Sequence, residues 1–209
     1  MMTVPNNLAL EGLDEKTIDR DPINQFQTWF NDAIAAKLPL PEAMTLATAT
    51  PEGRPSARMV LLKQVDQDGF VFYTNYRSAK AEQLDANPYV ALVFYWAVLD
   101  RQVRVEGRVA KTSAQESSEY FRTRPRESQI GAWTSEQSQA IGSREVLEQR
   151  ARELEALYRD REVERPEHWG GYRVEPERIE FWKSRIGRLH DRILYQRSGS
   201  GWTITRLAP

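Results

Sequence analysis

Cationic and hydroxyl side chains cluster in one stretch of the sequence, residues 57–80. Arg58 and Lys63 border and interrupt an apolar run, and Thr74, Ser78 and Lys80 follow a second run. Free backbone N–H groups at a helix start, beside a hydroxyl and cations, are well suited to bind a phosphate. The same pattern is also typical of a β-hairpin with solvent-facing charges, and this stretch alone leaves both interpretations open.

A second set of groups suited to phosphate is Tyr120, Arg124 and Ser128. Their spacing of four predicts one line along a helix. Both hydroxyls can donate a hydrogen bond to a phosphate oxygen, and the guanidinium can donate two. The alternative is a surface helix with a capping serine.

A third set lies near the end of the sequence, at Arg188, His190 and Arg192. On a predicted strand these residues would face the same side. Two guanidinium groups beside an imidazole favour an anionic or electron-rich ligand, for which Trp182 could provide an aromatic wall. The alternative is a solvent-facing edge, with Asp191 among the counter-ions.

Composition excludes several classes of chemistry. The chain of 209 residues has no cysteine, only His168 and His190 as histidines, and a net charge of −1. We therefore expect no disulfide, no metal site and no general nucleic-acid binding. No G-x-S-x-G, G-x-G-x-x-G or P-loop motif occurs. With no protein nucleophile evident, the residues favour a protein that holds phosphorylated aromatic molecules and relies on a cofactor.

Neither an apolar run near 18 residues nor a signal peptide is evident, so a cytoplasmic protein without a membrane span is expected. We expect a mobile arm over residues 1–20 and a single domain over 21–209. The hydrophobic patterns predict a mainly β, α+β fold, a small antiparallel barrel with helices packed outside. The predicted helices are 22–37, 78–87, 113 to about 124 and 143–161, with a polar loop at 126–142. The last helix is expected to bury Leu147, Ala151, Leu154 and Leu157 or Tyr158. The predicted strands are 44–50, 59–65, 70–73, 89–96 (buried on both faces), 101–111, 172–174, 179–183, 189–196 and 202–206.

Six segments in this order resemble the pyridoxamine 5′-phosphate oxidase family, from about residue 21 to the end of the chain. They are RMVLLK (58–63), FYTN (72–75), RQVRVEG (101–107), YFRTRPRESQIGAW (120–133), IEFWKS (179–184) and RLHDR (188–192).

The resemblance implies a split β-barrel homodimer with FMN at the subunit interface. The implied reaction is oxidation of pyridoxamine or pyridoxine 5′-phosphate to pyridoxal 5′-phosphate. Dioxygen would become hydrogen peroxide, and the amine substrate would release ammonia. Two alternatives remain, a related flavin-barrel oxidase of the phenazine type and a flavin- or haem-binding barrel without turnover.

The resemblance also assigns residue roles. Arg188 and His190 would lie against the substrate's pyridine ring as the catalytic pair. The substrate phosphate would contact Lys63, Tyr120, Arg124 and Ser128. The cofactor-binding residues would be Arg58, Met59, Val60, Leu61, Lys63, Tyr73, Thr74, Ser78, Lys80, Gln102, Gln137, Ser138, Trp182 and Arg192.

The sequence departs from the family pattern at two places. Ala79 stands where the family usually has arginine, which predicts somewhat weaker FMN binding unless Arg77 substitutes for it. The basic-aromatic segment that precedes the first helix in the family, and closes over the substrate, has no match in LALEGLDEKTIDR.

Overall fold

Nine strands form one antiparallel sheet, and five helices pack on it, in residues 12–209, the part of the chain that the computed structural model describes. This arrangement confirms the predicted mainly β fold. The helices are α1 (Pro22–Ala35), α2 (Ala79–Ala86), α3 (Ala114–Thr123), α4 (Arg126–Thr134) and α5 (Arg144–Leu157). The strands are β1 (Ala43–Ala49), β2 (Pro55–Leu61), β3 (Gln64–Asp66), β4 (Gly69–Asn75), β5 (Tyr89–Trp96), β6 (Arg101–Lys111), β7 (Trp169–Lys183), β8 (Asp191–Ser198) and β9 (Gly201–Arg206).

The long strand β7 organises the sheet, whose order is β2-β1-β5-β6-β7-β4-β3. One edge of β7 pairs with β6 along eleven residue pairs. Its other edge pairs with β4 in its first half and with β8 in its second half. Because β4 and β8 share one edge of the same strand, the sheet divides there.

Helix α1 packs its apolar face into the main core. Asp21 caps the helix by accepting a hydrogen bond from the backbone N–H of Ile23 at 2.8 Å, as the Asp-Pro pair predicts. The ring of Phe26 is fully buried, 4.9 Å from the rings of both Phe70 and Phe94. Helix α1 therefore contacts both β4 and β5, which are separated by β6 and β7 in the sheet.

A second, smaller core lies under α3, α4 and α5, around Phe121, Ile130, Val163 and Trp169. Ser113 caps α3, since its hydroxyl accepts from the backbone N–H of Glu116 at 3.0 Å. The helix ends before Pro125, as predicted.

The predicted hairpin of strands 59–65 and 70–73 is confirmed only next to its turn, and it is wrong for residues 59–61. Strand β2 ends at Leu61 and pairs with β1, whereas only the short β3 pairs with β4. Lys63 lies between β2 and β3, and its backbone N–H donates to the carbonyl of Val71 at 2.8 Å. Gly69 starts β4 at φ +124°, where a Cβ would lie 2.0 Å from the Val174 carbonyl oxygen.

Two of the predicted C-terminal strands, 172–174 and 179–183, are one strand, β7. Pro176 lies inside it, opposite Gly107, at a register shift between Glu106 and Gly107. A proline donates no hydrogen bond, so this irregularity accommodates it. A Cβ at Gly107 would lie 2.0 Å from the Glu175 carbonyl oxygen, so the close approach needs glycine.

Three further expectations are wrong. Residues 126–134 form helix α4 rather than a loop. Strand β5 alternates in burial, with Tyr89 and Tyr95 53% and 62% exposed in the single chain. Leu157, predicted to be buried on α5, is 54% exposed.

Residues 12–20 contact the C-terminal part of the chain. The backbone N–H of Leu13 donates to Asp191 at 3.0 Å, and Arg206 binds Glu15 at 2.6 Å. Ile18 is buried in the main core. The first part of the predicted arm, residues 1–11, lies outside the described residues, and the arm stays a prediction.

Candidate functional site

A cavity of about 600 Å³ lies between the strands β2 and β4 and the helices α3 and α4. Eleven of the predicted site residues line it. They are Met59, Val60, Leu61, Lys63, Tyr73, Thr74, Lys80, Tyr120, Arg124, Ser128 and Gln137.

Two cations, Arg58 and Lys80, stand close together at one end of this region. Arg58 donates to the Thr48 hydroxyl at 2.6 Å and to Gln83 Oε1 at 3.3 Å. Lys80 Nζ donates to Gln137 Oε1 at 2.7 Å, and also to the hydroxyls of Thr74 and Ser78. All these acceptors are neutral, so the positive charge of both cations is left uncompensated.

The electrostatics of this cluster follow from that arrangement. Burial, and to a lesser extent the nearby Arg58 charge, lowers the pKa of Lys80 from 10.5 to about 8. Burial also lowers the pKa of Arg58. An anion bound here would raise both pKa values again, because it would favour the charged forms of Lys80 and Arg58.

The N-terminus of α2 borders the same cluster. The buried Ser78 precedes the helix, and the Ser138 hydroxyl accepts from the backbone N–H of Ala79 at 3.2 Å. Arg77 is exposed and lines a separate, smaller cavity with Glu136 and Arg150. The structure therefore gives no support to the idea that Arg77 replaces a cation at position 79.

Tyr120, Arg124 and Ser128 line the cavity together, although not as one helical line. Helix α3 ends at Thr123, Arg124 is extended (φ −73°, ψ 147°), and Ser128 lies on α4. Arg124 Nη1 is buried and has no hydrogen-bond partner within residues 12–209. A buried donor without a partner is costly, and a ligand in the cavity could satisfy it.

Aromatic rings form one wall of the cavity. The rings of Tyr73 and Tyr120 stack at 3.9 Å, and that of Trp169 lies 5.4 Å from Tyr73. Burial raises the pKa of Tyr73 to about 12, so its hydroxyl stays protonated at neutral pH. Sequence reasoning missed Trp169, whose only signal was its place in the His-Trp-Gly-Gly turn after Pro166.

The remaining predicted residues form a second group outside this cavity. Gln102, Trp182 and Arg192 are direct register partners across β6, β7 and β8. The ring of His190 lies 4.6 Å from that of Trp182. None of these four lines the cavity in the single chain.

Arg188 and His190 are not on a strand, so the predicted common face with Arg192 is wrong. Arg188 is the last residue of a short 3₁₀ turn, Ile186–Arg188, and β8 begins only at Asp191. Gly187 and Arg188 have φ values of 71° and 63°, which turn the chain before the strand. The Arg188 side chain is exposed.

Arg192 has its own counter-ion, the buried Glu180. Its Nε and Nη2 donate to the two carboxylate oxygens at 2.8 and 3.1 Å, and Arg104 donates to the same carboxylate at 3.3 Å. This bidentate contact orients the guanidinium of Arg192, the register partner of Trp182, and it raises the pKa of Arg192.

Sequence comparison matches the chain to two family models. Residues 30–158 match the model described as pyridoxamine 5′-phosphate oxidase. Residues 169–209 match the model described as the C-terminal dimerisation region of pyridoxine 5′-phosphate oxidase. The chain belongs to the pyridoxamine 5′-phosphate oxidase family. It is therefore an oxidoreductase, as the resemblance implied.

Relatives in this family match nearly the whole chain. The pyridoxine/pyridoxamine 5′-phosphate oxidase of Paraburkholderia xenovorans is 59% identical, covering 97% of this chain and 96% of the relative. That of Rubrobacter xylanophilus is 60% identical, covering 95% and 91%.

Solved structures share the split-barrel fold. PhzG from Burkholderia lata, in complex with tetrahydrophenazine-1-carboxylic acid, matches with a TM-score of 0.90 at 30% identity, covering 96% of this chain and 100% of that one. An FMN-binding protein from Nostoc punctiforme matches with a TM-score of 0.70 at 18% identity, covering 88% and 97%. Over residues 12–209, no helix has the length and apolar character needed to span a membrane.

Proposed function

We propose that the protein oxidises pyridoxamine 5′-phosphate and pyridoxine 5′-phosphate to pyridoxal 5′-phosphate, using FMN and dioxygen. The alcohol and dioxygen give the aldehyde and hydrogen peroxide. The amine, dioxygen and water give the aldehyde, ammonia and hydrogen peroxide. This would be the last step in making the vitamin B6 cofactor.

One observation carries the proposal: the cations at the cavity have no carboxylate partner. Across residues 12–209, none of Arg58, Lys63, Lys80 and Arg124 forms an ion pair, although arginines elsewhere form many. Arg58 and Lys80 stand in one group, and Arg124 stands with Tyr120 and Ser128 in the other. A flavin phosphate and a substrate phosphate, each carrying about −1.5 to −2 charges at neutral pH, would neutralise the two groups.

The residues present fit FMN. Arg58, Lys80 and the pair Gln137 and Ser138 would hold its phosphate, beside the N-terminus of α2. Met59, Val60, Leu61, Tyr73, Thr74 and Ser78 would border the rest of the molecule. FMN, when bound, supplies the two-electron redox chemistry and the route to dioxygen.

The substrate phosphate would bind Lys63, Tyr120, Arg124 and Ser128. Arg188 and His190 would orient the pyridine ring, with Arg188 stabilising charge beside the reacting carbon. No covalent catalyst is needed, since placing that carbon against the cofactor supplies much of the rate advantage.

We propose a homodimer, because several residues assigned to FMN or to the substrate lie outside the cavity of their own chain. The match of residues 169–209 to a dimerisation region supports this assembly. Gln102, Trp182, Arg188, His190 and Arg192 belong to that segment or to its direct neighbour β6. They would complete the site from the partner subunit. We also propose a cytoplasmic location.

A second candidate is an oxidase acting on a phenazine precursor, favoured by the TM-score of 0.90 to PhzG. Such a substrate has no phosphate to pair with Arg124, so we place this candidate second. A flavin- or haem-binding barrel without turnover is the third candidate.

The deciding experiment adds pyridoxine 5′-phosphate to the purified, FMN-loaded protein and measures hydrogen peroxide and pyridoxal 5′-phosphate. Equimolar formation of both is expected. Arg188→Ala should lose turnover far more than FMN, whereas Arg58→Ala should lose FMN first. Bound flavin without peroxide would support a binding protein, and turnover of a phenazine precursor alone would support the second candidate.

A further inference from the structure

We infer that Trp169 is a positioning residue for the phosphate-binding arginine, Arg124, and so sets the preference for phosphorylated over dephosphorylated substrate. The inference rests on the proposed function for the identity of the ligand. It goes beyond that function because Trp169 acts through the guanidinium rather than on the phosphate.

Arg124 lacks the polar contacts that normally fix an arginine side chain. Within residues 12–209 it forms no ion pair, and its Nη1 is buried without a hydrogen-bond partner. Its close neighbours are ring faces instead. The guanidinium carbon lies 4.4 Å from the ring centroid of Trp169 and 5.5 Å from that of Phe121. Both distances are in the range of cation–π contacts.

The local sequence explains why the guanidinium reaches Trp169. Pro125 disfavours a helical conformation at Arg124, so α3 stops at Thr123 and the Arg124 side chain leaves the helix end. Phe121 remains on the helix, with its ring centroid 5.1 Å from that of Trp169 in an edge-on arrangement. Arg124 thus packs against the same indole that buries Phe121.

Trp169 itself is held firmly. It is 6% exposed and pairs with Asn75 where β7 begins. Its carbonyl oxygen accepts from Arg165 at 2.6 Å, and its ring stacks on Tyr73 at 5.4 Å with an interplanar angle of 11°. The indole is therefore a rigid surface on which the guanidinium can rest.

A ring face and a carboxylate hold a guanidinium in different ways. A carboxylate would neutralise the charge and occupy the N–H donors that a phosphate needs. An indole face attracts the cation through its quadrupole and leaves those in-plane donors available. Trp169 can therefore preorganise Arg124 without competing with the ligand.

The test measures how tightly the FMN-loaded protein binds pyridoxal 5′-phosphate and pyridoxal by calorimetry. Trp169→Leu should reduce the preference for the phosphate ester about tenfold. Trp169→Tyr and Trp169→Phe should each cause a smaller loss, because both keep an aromatic ring under the guanidinium. In kinetics, KM for pyridoxine 5′-phosphate should rise by a larger factor than kcat falls. Trp202→Leu is the matched control, because Trp202 lies under Arg197 at 4.8 Å on the β8–β9 hairpin. It should leave the preference unchanged.

A double-mutant cycle tests whether Trp169 acts through Arg124. In an Arg124→Met background, Trp169→Leu should cause no further loss of phosphate preference. Additive losses, or equal losses for pyridoxal and its phosphate, would overturn the inference. If Trp169→Leu does not fold, Trp169→Tyr and Trp169→Phe can replace it in the double-mutant cycle.

Failure of the proposed function would look different. A wild-type protein that binds pyridoxal 5′-phosphate but produces no peroxide would contradict the oxidase, while the cycle on binding would still decide the role of Trp169. A wild-type protein that turns over pyridoxine 5′-phosphate but gives an additive cycle would contradict only the present inference.

Discussion

Two regions of this protein crowd cations together, and they differ in what neutralises them. On the face of β6, β7 and β8, charges alternate along a continuous ladder, defined as Arg178, Glu106, Arg104, Glu180 and Arg192. Around the cavity, Arg58, Lys63, Lys80 and Arg124 have no carboxylate partner within the described residues. The ladder contains its own counter-ions, whereas the proposed phosphate ligands would supply those of the cavity.

The difference predicts different responses to the loss of a charge. Each charge in the ladder has a partner of opposite sign, so removal of one partner would leave an uncompensated charge. Arg58 and Lys80 repel one another, and burial disfavours the charged forms of Arg58, Lys80 and Arg124. Removing a carboxylate from the ladder should therefore lower the free energy of unfolding, whereas removing a cation from the cavity should weaken ligand binding.

The largest effect is expected at Arg58. Arg58→Met should weaken FMN binding by at least about thirtyfold, because a buried charge-assisted contact to the phosphate is lost. Fluorescence titration of the ligand-free protein with FMN measures this. Arg54→Met, in the exposed turn after β1, is the control and should change the affinity less than about twofold. Unchanged FMN affinity in Arg58→Met would remove this residue from the phosphate site.

The next effect is expected in the ladder. Glu180→Gln should lower the free energy of unfolding by about 2 kcal/mol, since it leaves Arg104 and Arg192 without their shared counter-ion. Urea denaturation of the ligand-free protein measures it. Glu106→Gln should cost less, because the Glu106 side chain is 32% exposed and that of Glu180 only 8%. Equal losses would show that burial does not set the strength of the ladder.

A smaller effect should appear in the pH dependence of the cavity. The pKa of Lys80 is about 8, so its amine loses its charge as the pH rises through that value. FMN affinity should then fall by up to about tenfold per pH unit, since the phosphate is already fully ionised.

The free energy of unfolding should respond to pH in the direction opposite to that of the FMN affinity. Between about pH 8 and the ordinary lysine pKa of 10.5, the unfolded chain binds more protons at Lys80 than the folded chain does. The ligand-free protein should therefore become more stable with rising pH in this window. Lys80→Met should flatten both profiles. A wild-type FMN affinity that stays constant from pH 7 to 10 would contradict the assignment.

The smallest effect provides a baseline for both regions. Arg144 and Glu148 form an exposed pair on α5, with side chains 84% and 49% exposed. Arg144→Ala should change the free energy of unfolding by less than about 0.5 kcal/mol. A loss as large as that of Glu180→Gln would mean that exposure does not distinguish the ladder from ordinary surface pairs.

Local sequence patterns predicted much of the fold. The alternation of β6, the Asp-Pro start of α1 and the capping box of α3 are local signals, and each matches the structure. Strand pairing is not local, which explains the error at 59–61, where β2 pairs with β1 instead of turning back on β4. The strands predicted at 172–174 and 179–183 likewise form one strand, because the register shift that accommodates Pro176 involves Gly107, far away in the sequence.

Residue chemistry and the family resemblance predicted part of the candidate site. Tyr120, Arg124 and Ser128 do line one cavity. A break between two helices brings them together, whereas their spacing predicted one line along a helix. Trp169 was missed because its role depends on contacts with Tyr73 and Arg124, which lie far from it in the sequence. The two charge regions could not be distinguished either, since arginine in the sequence does not show whether a carboxylate faces it.

The position of β7 has a consequence for biosynthesis. This strand pairs with β4 and β6, yet it is translated after both of them. Until the ribosome has made residues 169–183, β4 and β6 each lack a neighbour, and the apolar side chains of Phe72 and Val105 have no finished core to enter. Such early intermediates are prone to aggregation. The nascent chain should therefore depend on chaperones until β7 has emerged from the ribosome.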